Sequence, residues 1–585
     1  MLLFIWVSEY KGLKNVELNF SDDFKFSFNS EELVLRVEKK NPLPEFFFKI
    51  SNPTSSSKIT VTGLVGENGS GKTTVLELIQ DIFVIGIKED IKILSIVFSK
   101  PDFSALHNFG SDIALKIIPD EHSKHIKISP VHYDIKKPGL THFYLDHFII
   151  NYSLIYDSRK SHMSLPEFNP EIKLMLNQEE YYQNISTNYF ASKFNNYFRI
   201  YYEDLRKIIF YISQRNFNEN PFEIPDTIEC SLNDIENFKF LNIDKKDFEE
   251  IVQPIRRLAF TIINSGREEE FNKDRFLNYI RLYFINLYLS YFGNIIFLIS
   301  DKELFNDLIS NQGDSLITKF ELLFEKLAAR ETREDGNYKK LHILFKIYFK
   351  RLDAIFEESN IVIDKKFFEN YKFQIKTKTR SNNVISFIRV SKYIESTMRF
   401  VNYSWRDISS GEYSFLLLFS RFFNVLHNNS HVKDRKNILI LIDEGEMFFH
   451  PHWQLSYLSN ILSMLLSIQT KKNIQIILTT NSPFVISEIP SSNLIYLSNN
   501  KVIEKDVKTF AANFYSLLLE FILSNPKNPL GKFTEANIMN IINYLNKKES
   551  FIKSKDEAKR LIDLIGEDVL RFELMKRLKE VDSND

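Results

Sequence analysis

Gly66-Glu67-Asn68-Gly69-Ser70-Gly71-Lys72-Thr73 is the stretch on which the fold turns. It matches G-x-x-x-x-G-K-[ST] in full, between a run that reads as a strand over 58–65 and a helix running through Thr74-Val75-Leu76-Glu77-Leu78-Ile79. Strand, glycine loop and helix in that order form a phosphate cradle. The glycines let the loop curl so that successive backbone N–H groups point inward, along a path that side chains would block. The helix adds the positive end of its dipole. Lys72 is expected to reach the β- and γ-phosphates of a nucleotide, and the Thr73 hydroxyl to ligate the magnesium ion that bridges them. Thr74 adds a further phosphate contact.

Downstream, Asn437-Ile438-Leu439-Ile440-Leu441-Ile442-Asp443-Glu444 is an apolar run too short for a membrane, and it reads as a central parallel strand tipped with acids. At the C-terminal end of such a strand Asp443 is expected to hold the magnesium shell, and Glu444 to orient or deprotonate the attacking water. Between loop and strand lies Ile408-Ser409-Ser410-Gly411-Glu412, followed by an apolar run at 415–419. Its serines can cap a helix, and its glycine allows backbone N–H groups to approach an anion. Alone this is a capped helix; in order between the other two motifs it reads as part of the same site.

In wording and order the three segments resemble the ABC ATPase superfamily, in its soluble SMC/RecF-like branch. The resemblance implies an α/β fold: an ABC-type, AAA-type head with a mixed or parallel central sheet, an antiparallel β subdomain and a large inserted helical lobe. It also implies ATP and Mg2+ as cofactors. Ser409, Ser410 and Gly411, with Glu412 completing the motif, would meet the γ-phosphate bound by another copy, so that nucleotide binding forms a homodimer or higher homo-oligomer.

Trp405-Arg406-Asp407-Ile408 leading into that motif, Asp443-Glu444-Gly445-Glu446 and His450-Pro451-His452-Trp453-Gln454 are similar to a group of prokaryotic defence ATPases. The group includes the ATPase subunits of Septu systems and of retrons carrying a Septu-like pair. Its members imply a separate nuclease subunit of HNH type as partner, antiviral defence as the role, and in retrons a reverse transcriptase with its RNA and DNA. In the group a strand ends in Thr-Thr-His-Ser-Pro; here it ends in Thr479-Thr480-Asn481-Ser482-Pro483. The family histidine senses the γ-phosphate and supports hydrolysis. Asn481 offers an amide that hydrogen-bonds but carries no charge, so slow hydrolysis is expected. The alternative reading is a RecF-like clamp that grips DNA on ATP binding, in repair or recombination. A related nuclease family places a Toprim domain after such an ATPase, but the residues beyond Pro483 read mainly as helices, and no Toprim nuclease is expected in this chain.

With 585 residues the chain is long enough for several lobes. Lys plus Arg (75) nearly cancels Asp plus Glu (76), which excludes a surface built throughout as a polycation, so nucleic-acid contact must be local. The single cysteine, Cys230, excludes an intramolecular disulfide and fits a reducing, cytoplasmic setting. Residues 1–7 are apolar, with no basic lead-in and with Glu9 and Lys11 close behind, and read as a buried strand rather than a signal peptide. Residues 282–300 lack charge, yet Asn286, Ser290, Gly293, Asn294 and Ser300 interrupt them; they read as buried helices and no membrane partner is expected.

Further strands are expected at 2–7, 15–20 and 33–38. The divisions expected are the first part of the head at 1–154, a helical lobe at 155–360, the second part of the head at 361–510 and a helical tail at 511–585. Within the second part, 371–380 alternates apolar and polar residues before Ser381-Asn382-Asn383 and reads as a hairpin strand. Lys372, Lys376, Lys378 and Arg380 on its one face are the candidate nucleic-acid contact, with Arg206-Lys207 and Arg256-Arg257 as further anchors. His450 and His452 lack a third ligand at useful spacing and are not read as a metal site.

Overall fold

The apolar runs of the sequence become the middle strands of a seven-stranded sheet. In the computed structural model the described residues are chiefly 1–132, 146–154, 181–214, 226–232, 361–376, 401–518 and 531–580, with short gaps, and scattered helical positions between 276 and 389. The sheet order is β11 (Tyr182–Asn184), β10 (His147–Ser153), β16 (Asn437–Asp443), β17 (Asn473–Thr480), β5 (Ile59–Val65), β18 (Leu494–Ser498), β19 (Lys501–Ile503). All neighbours are parallel except the β18–β19 hairpin. Ile438 to Ile442 and Ile474 to Leu478 are buried along their whole length, as strands covered on both faces require. The sheet alternates segments from the two halves of the chain, since β5 pairs with β17 and β10 with β16.

Helix α1 (Lys72–Gln80) packs Val75, Leu76, Leu78 and Ile79 into the core cluster that also holds Leu64, Leu439 and Ile477. The same cluster joins this sheet to a five-stranded one, ordered β2 (Leu13–Asn19), β1 (Leu2–Tyr10), β6 (Ile93–Ser99), β7 (Asp102–His107), β9 (Ile128–His132). On its other face that sheet meets β3 (Phe24–Asn29), β4 (Val34–Lys39) and β8 (Lys116–Pro119) through an aromatic core of Phe4, Trp6, Phe26 and Phe28.

Helix α2 (Tyr197–Gln214) packs along α3 (Ser410–Asn428). Arg421 of α3 is 1% exposed, and its guanidinium grips both carboxylate oxygens of Asp204 at 2.9 and 2.6 Å while also donating to Ile185 O and Thr187 Oγ1. Two forked hydrogen bonds and two further acceptors answer the cost of burying the charge.

A four-stranded antiparallel sheet runs β13 (Ile361–Ile363), β14 (Lys372–Lys376), β12 (Thr227–Leu232), β15 (Val401–Ser404). It changes the local reading of 371–383. The partners of β14 are β12 and β13, and Val384–Ser386 beyond the expected turn are helical, so among the described residues no strand follows to close a hairpin there. Burial of Phe373 and Ile375 fixes which face of β14 is inward, and its two edges are taken by β13 just before it and β12 far back in the chain. Residues 182–184, inside the stretch read as a helical lobe, form a strand of the central sheet, while 155–180 and most of 233–360 lie outside the described residues. No described helix is long and apolar enough to cross a membrane, and the 282–300 stretch falls almost wholly outside the described residues.

The chain divides into two compact units, Met1–Ala511 and Ala512–Asp585. In the second, α5 (Lys532–Leu545), α6 (Lys555–Asp563) and α7 (Asp568–Glu580) enclose a small core of Ile541, Leu545, Ala558, Ile562, Leu574 and Leu578; α4 (Tyr457–Ile468) belongs to the first unit.

Candidate functional site

The parallel strands β5, β16 and β17 end side by side, with Asp443 opposite Thr479 and Thr480 opposite Val65. Sites in such sheets lie beyond the carboxyl ends of the strands, where backbone groups leave the ladder. From the end of β5, residues 66–71 curl into α1, with Gly69 at φ +81° and Gly71 at φ +102°, the left-handed backbone that glycine adopts without strain. Lys72 folds back over the curl and donates from Nζ to Gly66 O (2.7 Å) and Glu67 O (3.1 Å). Burial lowers its pKa, opposed by the charges of Glu444, Asp443 and Glu446. Ser70 Oγ is buried inside the loop without a hydrogen bond.

Thr73 Oγ1 lies 3.1 and 3.2 Å from the two carboxylate oxygens of Asp443, so the hydroxyl and the acid expected at one cation do meet. Thr479 Oγ1 donates to Asp443 Oδ1 at 2.7 Å and accepts from the Glu444 N–H at 2.9 Å. Glu444 takes φ +46°, a costly conformation for a side-chain-bearing residue, just past the end of β16. Burial first, and Asp443 second, raise its pKa, while Lys72 pulls the other way. A carboxylate made more basic in this way suits proton abstraction from water. Asn481 at the tip of β17 donates from Nδ2 to Asn68 Oδ1 (2.9 Å) and Glu444 Oε1 (3.2 Å), bridging the glycine loop to the acid. The chemistry of this set fits a nucleoside triphosphate with a divalent cation: a glycine loop entering a helix, one lysine, one hydroxyl–carboxylate pair and a further acid beside them.

A family model described as an AAA ATPase domain matches residues 1–486. The chain belongs to the AAA ATPase domain family. Among curated proteins it is similar to a retron Ec83 probable ATPase of Escherichia coli, 36% identical over 104 residues. That match covers 17% of this chain and spans 18% of the length of that relative.

In this AAA ATPase domain, Ser409, Ser410, Gly411 and Glu412 form the first turn of α3. Ser409 caps it, with Oγ accepting from the Glu412 N–H at 3.3 Å, while Glu412 Oε2 accepts from the Ser409 N–H at 2.6 Å. This reciprocal capping box satisfies two donors at the helix end. Gly411 sits against the 448–453 turn, where an added Cβ would stand 2.9 Å from Phe448 O and 3.2 Å from the Trp453 ring. The turn motif therefore contacts its own helix and the segment following β16.

Thr74 lies half-buried in the first turn of α1. Lys372 pairs with Glu229 of the neighbouring strand at 3.0 Å, and Lys376 is exposed at the end of β14. Lys378 and Arg380 lie outside the described residues. Arg206 pairs with Glu203 at 2.8 Å, and Lys207 is buried with its Nζ 4.0 Å from the centre of the Phe190 ring. Neither behaves as a free surface anchor; Arg256 and Arg257 are outside the described residues. His450 caps the short Pro451–Gln454 helix, accepting from the His452 N–H, and no group of three or more metal-ligating side chains exists among the described residues.

Sequence reasoning assigned no role to a second row of contacts behind the acids. Thr480 Oγ1 donates to Glu446 and accepts from the Ser482 N–H at 3.0 Å. Ser482 Oγ in turn reaches Gln454 Oε1 at 2.5 Å, and Gln454 Nε2 donates to Phe449 O at 2.9 Å. The paired threonines thus fasten both ends of Asp443-Glu444-Gly445-Glu446. Polar residues ending an otherwise apolar strand were the available signal.

Proposed function

We propose that this chain binds ATP with Mg2+ and hydrolyses it, using the ATP state to control a separate nuclease of HNH type in antiviral defence. The observation that carries the reading is the convergence of Lys72, Thr73, Asp443, Glu444 and Asn481 at the ends of β5, β16 and β17. Lys72 and the loop N–H groups hold the phosphates, Thr73 and Asp443 hold the cation, and Glu444 takes a proton from water while Asn481 orients it. Because an amide stands where the family has an imidazole, hydrolysis is slow and the bound triphosphate is long-lived.

Ser409, Ser410 and Gly411 of one copy complete the site of another. Met447 and Phe448, 47% and 49% exposed beside Gly411, support the presence of a partner at that turn. The role in defence, the nuclease, and a retron reverse transcriptase with its nucleic acid rest on the resemblance in wording and on the retron ATPase relative.

The test is Lys72→Ala in the native operon. ATP binding by the purified chain and protection of cells against phage are both expected to be lost. Tight ATP binding by the variant contradicts the phosphate-loop reading, and protection retained without binding contradicts nucleotide control. A complex containing recombination proteins and no nuclease contradicts the proposed partner.

A further inference from the structure

We propose that Asn500 is a positioning residue for the phosphate loop, bracing the Ser70–Gly71 peptide from outside so that the loop is curled before nucleotide arrives. This rests on the reading of residues 66–73 as the ATP cradle.

Ser498 pairs with Lys501, so Asn499 and Asn500 are the two residues of a tight hairpin turn, at φ +49° and +59°. Such turns require left-handed backbone at both positions, and glycine usually takes the second because a side chain there is strained. Local turn formation therefore accounts for Asn499 but leaves the side chain of Asn500 unexplained.

Its surroundings explain it. An added Cβ on Gly71 would stand 2.8 Å from Asn500 Oδ1, and one on Gly12 would stand 3.1 Å from Asn500 Nδ2. Two glycines, one ending the phosphate loop and one in the β1–β2 turn, make room for a single asparagine. The Asn500 N–H also donates to Ser70 O at 3.2 Å.

In a planar trans peptide the C=O and the following N–H point in opposite directions. Holding Ser70 C=O outward against the hairpin therefore turns the Gly71 N–H toward the inside of the loop. The loop's other end is pressed by the same strand, since an added Cβ on Gly66 would stand 2.1 Å from Leu497 O. Strand β18 and its turn thus fix both ends of the curl, and the Asn500 side chain wedges one of them against the β1–β2 turn. Preorganisation of this kind shows as affinity, because less freedom is lost on binding.

The test compares Asn500→Gly with Asn499→Gly. Both keep left-handed backbone accessible and loosen the unfolded chain alike, so a general effect of glycine on stability is shared. In Asn500→Gly alone, amide hydrogen exchange across 66–73 in nucleotide-free protein is expected to accelerate. The Kd for ATP–Mg2+ is expected to rise about fivefold, a change of about 1 kcal/mol, with kcat at saturating ATP unchanged. Exchange in Asn500→Gly equal to wild type overturns the proposal, as does an unchanged Kd when the wild-type chain binds ATP. Failure of the wild-type chain to bind ATP sinks the nucleotide reading instead, and the exchange experiment separates the two.

Discussion

Asn481 holds one amide between two oxygens, those of Asn68 and Glu444. Removing that donor frees the acid to rotate, and a hydrogen bond to a charged group contributes about 1.5–3 kcal/mol. Asn481→Ala is expected to lower kcat by about tenfold with a smaller change in ATP affinity, read by steady-state phosphate release. Asn481→His is expected to raise kcat, since an imidazole can carry the charge that an amide cannot. Flat turnover in both variants would show that this position does not limit the reaction. Lys72, Thr73, Asp443 and Glu444 were legible in the sequence because backbone requirements fix their spacing: a glycine curl before the helix, an apolar strand before the acids. The work of Thr479 and Thr480 was not. It depends on which strand lies beside β16, and pairing across the sheet leaves no mark in the order of residues.

The end of β17 is joined to the segment after β16 by a carboxyl that burial keeps neutral. Glu446 is fully buried, and burial pushes its pKa up to about 7. In the folded chain it holds its proton to about pH 7, whereas unfolded it releases it near its ordinary value. Unfolding between those values therefore releases a proton, so this carboxyl stabilises the fold at low pH and the contribution is lost as pH rises toward 7. The full effect is about 3 kcal/mol. Glu446→Gln is expected to flatten the fall in thermal midpoint between pH 5 and pH 8, and an equally steep fall in the variant would remove Glu446 as its cause. The hairpin expected at 371–380 went astray at this same scale. Alternation gave the strand correctly, but its partners are β13, which precedes it, and β12, far away in the chain, rather than the residues that follow. Asn500 shows the converse, an unremarked turn residue whose neighbours in space are two glycines distant in sequence.

The seven-stranded sheet is assembled from both halves of the chain, and one row of its strand ends carries the glycine loop, the acids and Asn481. That α/β architecture could be read from the motifs in order, because the glycine loop and the acids each fix a strand end and the 409–412 turn fixes the start of a helix. The segment between them could not, since amphipathic spacing describes a helix without naming its neighbour. Arg421 and Asp204, which lock α3 to α2, are separated by 217 residues. The turn Ser409–Gly411 opens α3 and stands beside exposed Met447 and Phe448, the face at which the proposed second copy would present its triphosphate. The most direct test is the mass of the Glu444→Gln chain in solution with and without ATP–Mg2+, where slowed hydrolysis preserves the bound state. Association is expected only with ATP and is expected to be absent when Lys72→Ala is added; an unchanged mass in protein shown to have ATP bound would contradict the proposed two-copy site.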